Sequence, residues 1–167
     1  MRVLATVLYM MLLTLCGCGG SGEESSTLGS VFNSNSTNSS TVVVKLATKG
    51  TLPQGSSIGA IIMTLKYPTT KGLTISADNI LPSGEAVSSK MIPNVATAGE
   101  ITLGNMNGTG FGVGEFLTIT FTVAAGNKPV TSDFSIAPGS IKILASDNDT
   151  TDISGQLSVV VQSVTVQ

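Results

Sequence analysis

The chain has no histidine and no tryptophan, and only 11% of its 167 residues are charged and 4% aromatic. Without histidine, the commonest general base near neutral pH and the imidazole metal ligand are both missing. Nucleophilic triads of the Ser/His/Asp or Cys/His kind are thereby excluded, as are zinc sites that use histidine. Arginine occurs once, at Arg2, and 8 basic residues stand against 10 acidic ones with no basic cluster. Nucleic-acid binding rests on neutralising phosphates with such groups, so that class is rejected. Tyr67 is the one tyrosine after Tyr9, which leaves little for the broad aromatic platforms on which sugar-binding sandwiches rely.

Long hydrophobic runs are also lacking. Val3 to Leu15 is a thirteen-residue stretch without charge behind Arg2, too short for the ~20 residues of a membrane span but suited to an export signal. Leu15-Cys16-Gly17-Cys18 follows at once. It resembles the bacterial lipobox, in which a Leu three places before Cys and a small residue just before it direct acylation of that Cys. Residues 1–17 are accordingly expected to be a lipoprotein signal peptide and Cys18 the lipidated residue. Cleavage there removes Cys16, so the one remaining cysteine carries lipid and no intramolecular disulfide forms. Each buried methylene contributes ~0.8 kcal/mol, and two or more acyl chains anchor stably where one does not. Gly19, rather than Asp, follows Cys18, which by analogy favours the outer membrane of the cell envelope. Residues 18–40 hold the lipidated Cys and a Gly/Ser/Asn-rich tether. Its 22 residues from Gly19 to Ser40 give an r.m.s. reach of roughly 25 Å as a flexible chain.

From Thr41 to Gln167 the composition turns to Thr, Ser, Gly, Val and Ile, which favours strands. The clearest lies in Gly114 to Ala124, where Leu117, Ile119, Phe121 and Val123 alternate with Thr118, Thr120 and Thr122, the period of a half-buried strand. In Ser57 to Tyr67, Ile61, Met63, Leu65 and Tyr67 share one face, with Ile62, Thr64 and Lys66 opposite. Further runs are 41–48, 72–77, 100–106, 134–144 and 157–166. In the last of these the apolar parity shifts from 157, 159 and 161 to 164 and 166, which predicts a bulge or a change of face. Turn residues separate the runs at short intervals, and the glycines of Asn105 to Gly114 read as a connection between strands rather than a phosphate loop. No helical period is sustained. The expected fold is all-β: an antiparallel β-sandwich of two sheets over 41–167.

Three segments carry a family resemblance. Leu65-Lys-Tyr-Pro-Thr-Thr-Lys-Gly-Leu73 resembles the "tyrosine, short turn, leucine" stretch of cohesin modules, with Pro68 where the family has an acidic residue. Gly112-Val-Gly-Glu-Phe-Leu-Thr-Ile-Thr-Phe-Thr-Val123 is similar to their "small residue, then Leu-x-x-Ile-x-Phe-x-Val" strand. The Asp-rich turn Ser146 to Asp152, then Ile153-Ser-Gly155 and a Val-rich run, matches their closing hairpin. The resemblance spans 41–167 and implies a jelly-roll sandwich of about nine strands that binds, not catalyses. In cohesins one sheet face takes a protein partner, the dockerin.

The site residues follow from these readings. Eight scattered acidic residues in 41–167 read as solvated positions, so no enzyme activity and no catalytic residue is expected. Asp147, Asp149 and Asp152 form the one acidic concentration. They lack the ligand spacing of an EF-hand and read as a polar hairpin loop, and are the only candidates for a weak Ca²⁺ site; no other metal or cofactor is expected. Phe116, Thr118, Thr120 and Thr122 fall opposite the core set of their strand and are the candidate ligand-facing surface, with Phe111 a further candidate for exposure. The function expected is a membrane-anchored extracytoplasmic binding or scaffolding module that recognises a protein through a sheet face. The alternative is a polysaccharide-binding lipoprotein.

Overall fold

The alternating Thr segment lies at the heart of the first of two sheets in the computed structural model, which describes residues 39–147 and 151–167. This strand, β7 (Glu115–Val123), pairs on one side with β1 (Ser40–Gly50), which in turn pairs with β10 (Leu157–Val166). On its other side β7 meets two short strands in succession, β3 (Leu73–Thr74) and β4 (Ile80–Pro82). The second sheet runs β5 (Lys90–Asn94), β6 (Glu100–Phe111) and β2 (Ile58–Lys66). Its far edge is shared by β8 (Ser135–Ile136) and β9 (Lys142–Ala145), both paired with β2. Every pairing is antiparallel, and the fold is the expected jelly-roll β-sandwich.

Alternation explains the core. Successive side chains of a strand point to opposite faces, so Val42, Val44 and Leu46 of β1 and Leu117, Ile119, Phe121 and Val123 of β7 turn inward. Ile61, Met63 and Leu65 of β2 and Ile101 and Leu103 of β6 meet them from the other sheet; all of these are fully or nearly fully buried. Each such side chain contributes ~1.5–3 kcal/mol relative to exposure. Tyr67, Phe121 and Phe134 form an aromatic row, with ring centroids 5.1 and 5.6 Å apart.

Three irregularities shape the molecule. Opposite β1, β10 carries one extra residue at Gln162, since Lys45 faces Ser163 while Leu46 faces Val161. This is the bulge that the parity shift in the sequence predicted. Likewise Leu46 faces Leu117 and Ala47 faces Glu115, leaving Phe116 as the extra residue of β7. In β6, Met106 faces Ala60 and Phe111 faces Ile58, so Asn107 to Gly110 are set against Gly59 alone. Gly110 has φ +77°, and a Cβ there would come within 2.0 Å of Ser57 Oγ, so only glycine fits this close approach.

Several expectations are corrected. Ten strands occur among the described residues rather than about nine, because the outer edges of β7 and β2 are each divided between two short strands. The run expected over 134–144 is broken into β8 and β9, with a turn at Pro138 and Gly139 between them. The glycine-rich 105–114 segment is for the most part strand, because β6 continues to Phe111.

The registers also define two poles. Ser40, Val123 and Val166 gather at one, and Gly50, Glu115 and Leu157 at the other. Phe111 joins Glu115 through three residues and pairs with Ile58, placing that end of the second sheet at the pole opposite Ser40.

Candidate functional site on the outer face of the second sheet

The threonines singled out in the sequence do lie on the outside of the first sheet. Thr122 stands opposite Thr41 and Thr74, Thr120 opposite Val43, and Thr118 opposite Lys45 and Leu81. Thr122 is exposed and Thr118 and Thr120 are half-buried. Thr118 is engaged within the sheet, its Oγ1 3.0 Å from Ser83 Oγ. Beside it Lys45 Nζ donates to both carboxylate oxygens of Glu115, at 3.1 and 3.0 Å. Burial works to raise the Glu115 carboxyl. Hydrogen bonds from Ser83, Lys45 and Thr118, with the Lys45 charge, outweigh it and hold the group below the usual glutamate range.

Phe116 does not belong to this surface. Its side chain is fully buried, because the one-residue bulge turns both Phe116 and Leu117 inward where strict alternation would send Phe116 out. Asn105 Nδ2 donates to its carbonyl oxygen at 3.4 Å. Phe111 is buried as well. Neither ring is available for a ligand.

The acidic loop ties its side chains to its own backbone. Thr151 N–H donates to Asp147 Oδ1 at 3.0 Å and Ser154 N–H to Asp152 Oδ1 at 2.9 Å. The hydroxyl and backbone of Ser154, and then the charge of Lys142, hold the Asp152 carboxyl below its usual range. These are the turn-forming roles that Asp favours. Asp149 and Cys18 lie outside the described residues.

The large exposed apolar side chains of a strand face gather elsewhere. On the outer face of the second sheet one cross-strand row reads Ile92, Gly104, Ile62, Lys142, and the next reads Lys90, Met106, Ala60, Leu144. Ile62, Ile92 and Met106 are 44%, 51% and 43% exposed. They surround Gly104, where a Cβ would meet nothing within 4 Å, so the backbone there forms a notch between them. Lys90 and Lys142 stand at opposite margins. Towards the pole opposite Ser40 the patch runs into a shallow, largely apolar groove of about 340 Å³ between Ala60, Met106, Asn107, Gly108, Leu144 and Asp147. The sequence held one sign of this face: Ile62 is apolar at a position where the alternation of β2 calls for a polar residue. Ile92 and Met106 gave no such sign, because β5 escaped recognition altogether.

No family model and no curated protein matches this chain. Two solved structures are similar to it. One is a non-cellulosomal cohesin from the hyperthermophilic archaeon Archaeoglobus fulgidus, with 16% identity and a TM-score of 0.47 over 67% of this chain and 72% of that one. The other is the complex of a CaDoc0917 variant with CaCohA2 at pH 5.5, with 17% identity and a TM-score of 0.49 over 71% of this chain and 83% of that one. Identity this low fixes no residue correspondence, so the site stands on its own geometry.

Proposed function

We propose that this chain is a non-catalytic binding module that recognises a protein partner through the outer face of its second sheet and is held at a bacterial envelope membrane by lipid on Cys18. The observation that carries the reading is the cluster of Ile62, Ile92 and Met106 around the notch at Gly104. Large apolar side chains on a solvent-facing strand surface lower solubility without adding to the core. A contiguous set rimmed by polar residues marks a surface used for contact. The flanking Lys90 and Lys142 supply a polar, positively charged margin. The cohesin-like motifs of the sequence agree with a binding role, and the absence of histidine argues against catalysis. Polysaccharide binding loses its aromatic basis, since Phe111 and Phe116 are inside. The lipobox, with Gly19 after Cys18, supports anchoring at the outer membrane.

The test uses the full-length protein as bait against the envelope and secreted fractions of the source cell. The Ile62→Asp/Ile92→Asp double variant is the probe and Thr120→Asp, on the other sheet, the control. The expected result is saturable capture of one protein species by wild type and control, and its loss in the double variant with an unchanged melting temperature. Capture that survives the double variant but fails with Thr120→Asp would transfer the site to the first sheet.

A further inference from the structure

The excursion in β6 places a distinct chemistry at the rim of the groove. Asn107 is the only asparagine in the chain followed by glycine. The Asn107–Gly108 step lies in the four residues set against Gly59 alone, just past the last β5 pairing at Lys90 and Met106. Gly108 is exposed, and nothing lies within 4 Å of where a Cβ would stand, so its backbone nitrogen is unshielded. The Asn107 side chain is folded along the chain past that nitrogen. Its Oδ1 accepts Thr109 N–H at 3.0 Å and Thr109 Oγ1 at 2.8 Å, and its Nδ2 donates to Ser89 Oγ at 3.3 Å. Two donors on Oδ1 draw electron density from Cγ and make it the better electrophile.

We propose that Asn107–Gly108 is a site of spontaneous deamidation that converts a neutral groove margin to a negatively charged one. The Gly108 nitrogen, its proton taken by base, attacks Asn107 Cγ. The new N–Cγ bond forms as the bond from Cγ to Nδ2 breaks, and Nδ2 leaves as ammonia after gaining a proton. Water then opens the five-membered succinimide at either carbonyl, giving aspartate or isoaspartate at 107; the sum is one water consumed and one ammonia released. Glycine at 108 imposes no steric barrier to ring closure and adopts the required backbone angles freely, and the absence of ladder partners leaves the segment free to reach them. The new carboxylate joins Asp147 on the same groove, and the isoaspartate form adds a methylene to the backbone. The chemistry stands apart from the binding function proposed above; only its effect on docking rests on that reading.

The experiment incubates the purified full-length protein at pH 6 and pH 9 in ¹⁸O-water, followed by peptide mapping with fragmentation. The expected result is ¹⁸O incorporation at residue 107, as both aspartate and isoaspartate. It should be faster at pH 9, and at least an order of magnitude faster than at Asn79, Asn94, Asn105 or Asn127. Gly108→Ala, at a position with open space, should fold normally and slow the reaction by a similar factor. A native-state rate at Asn107 no greater than at the other asparagines, or far below that of the same segment in the urea-unfolded chain, would overturn the proposal.

Discussion

Phe116→Ala tests whether the bulge in β7 sets the boundary between core and surface. The ring is fully buried, and removing a buried phenylalanine side chain costs about 3–5 kcal/mol when the surroundings close only in part. That is a large share of the ~5–15 kcal/mol that separates a folded domain from its unfolded chain. Residues 39–167 number 129, and at roughly 2.1 cal/mol/K per residue the unfolding entropy near the midpoint is about 0.27 kcal/mol/K. The melting temperature should therefore fall by about 11–18 °C, read by calorimetry or by circular dichroism of the strand signal. Thr120→Ala, on the outer face of the same strand, should cost within about 1 kcal/mol. Phe116→Leu, which keeps most of the buried volume, should lose less than Phe116→Ala. A fall of less than about 4 °C for Phe116→Ala, equivalent to roughly 1 kcal/mol, would refute the inward orientation and with it the register change between Leu46 and Ala47.

Stability should also fall in acid, in a set direction. Glu115, Asp133 and Asp152 all titrate below their ordinary ranges in the fold. For Asp133 the causes are the hydrogen bond from Lys71 and then the backbone N–H of Val130. A depressed folded-state value means the stabilisation is present above the unfolded-state value and is lost as pH drops through the folded one. The urea midpoint should be flat from neutral pH down to the carboxylate range and then decline, with a shallower decline in Lys71→Met; a midpoint that rises on acidification would contradict the assignment. Cys18→Ser should abolish incorporation of labelled palmitate in the source cell and release the protein from the membrane fraction. Labelling that persists would place the acyl group elsewhere.

The strands that were legible in the sequence are those whose two faces differ. In β2 and β7 an unbroken apolar/polar alternation reported one buried and one open face, and in β10 the change of parity located a bulge that the register confirms. Alternation failed where the backbone departs from it. Phe116 sits at the bulge of β7, and the adjacent pair Phe116-Leu117 was the only trace of two neighbouring side chains turning to the same side. β5 went unseen because Pro93 within Lys90–Asn94 removes a ladder donor and reads as a break; such a residue is tolerated at a sheet edge, which is where β5 lies. β4 ends in Pro82 and has only three residues, too few for any period to show. The candidate face was hidden for a related reason. Its members come from β2, β5 and β6, and only the pairing of those strands brings Ile62, Ile92 and Met106 around one glycine.

The path of β1 has a mechanical consequence. It starts at Ser40 at one pole, ends at Gly50 at the other, and is clasped along its length by β7 and β10. At ~3.4 Å per residue its eleven residues cover roughly 35 Å. A chain held through Ser40 and a partner gripping the groove at the opposite pole pull along this strand's own axis. The hydrogen bonds of two ladders then resist the load side by side in shear, and none is opened singly at an end. Lifetime under force follows the unfolding rate, not the equilibrium stability, so the domain's holding strength resides in the pairing of β1 with its two neighbours.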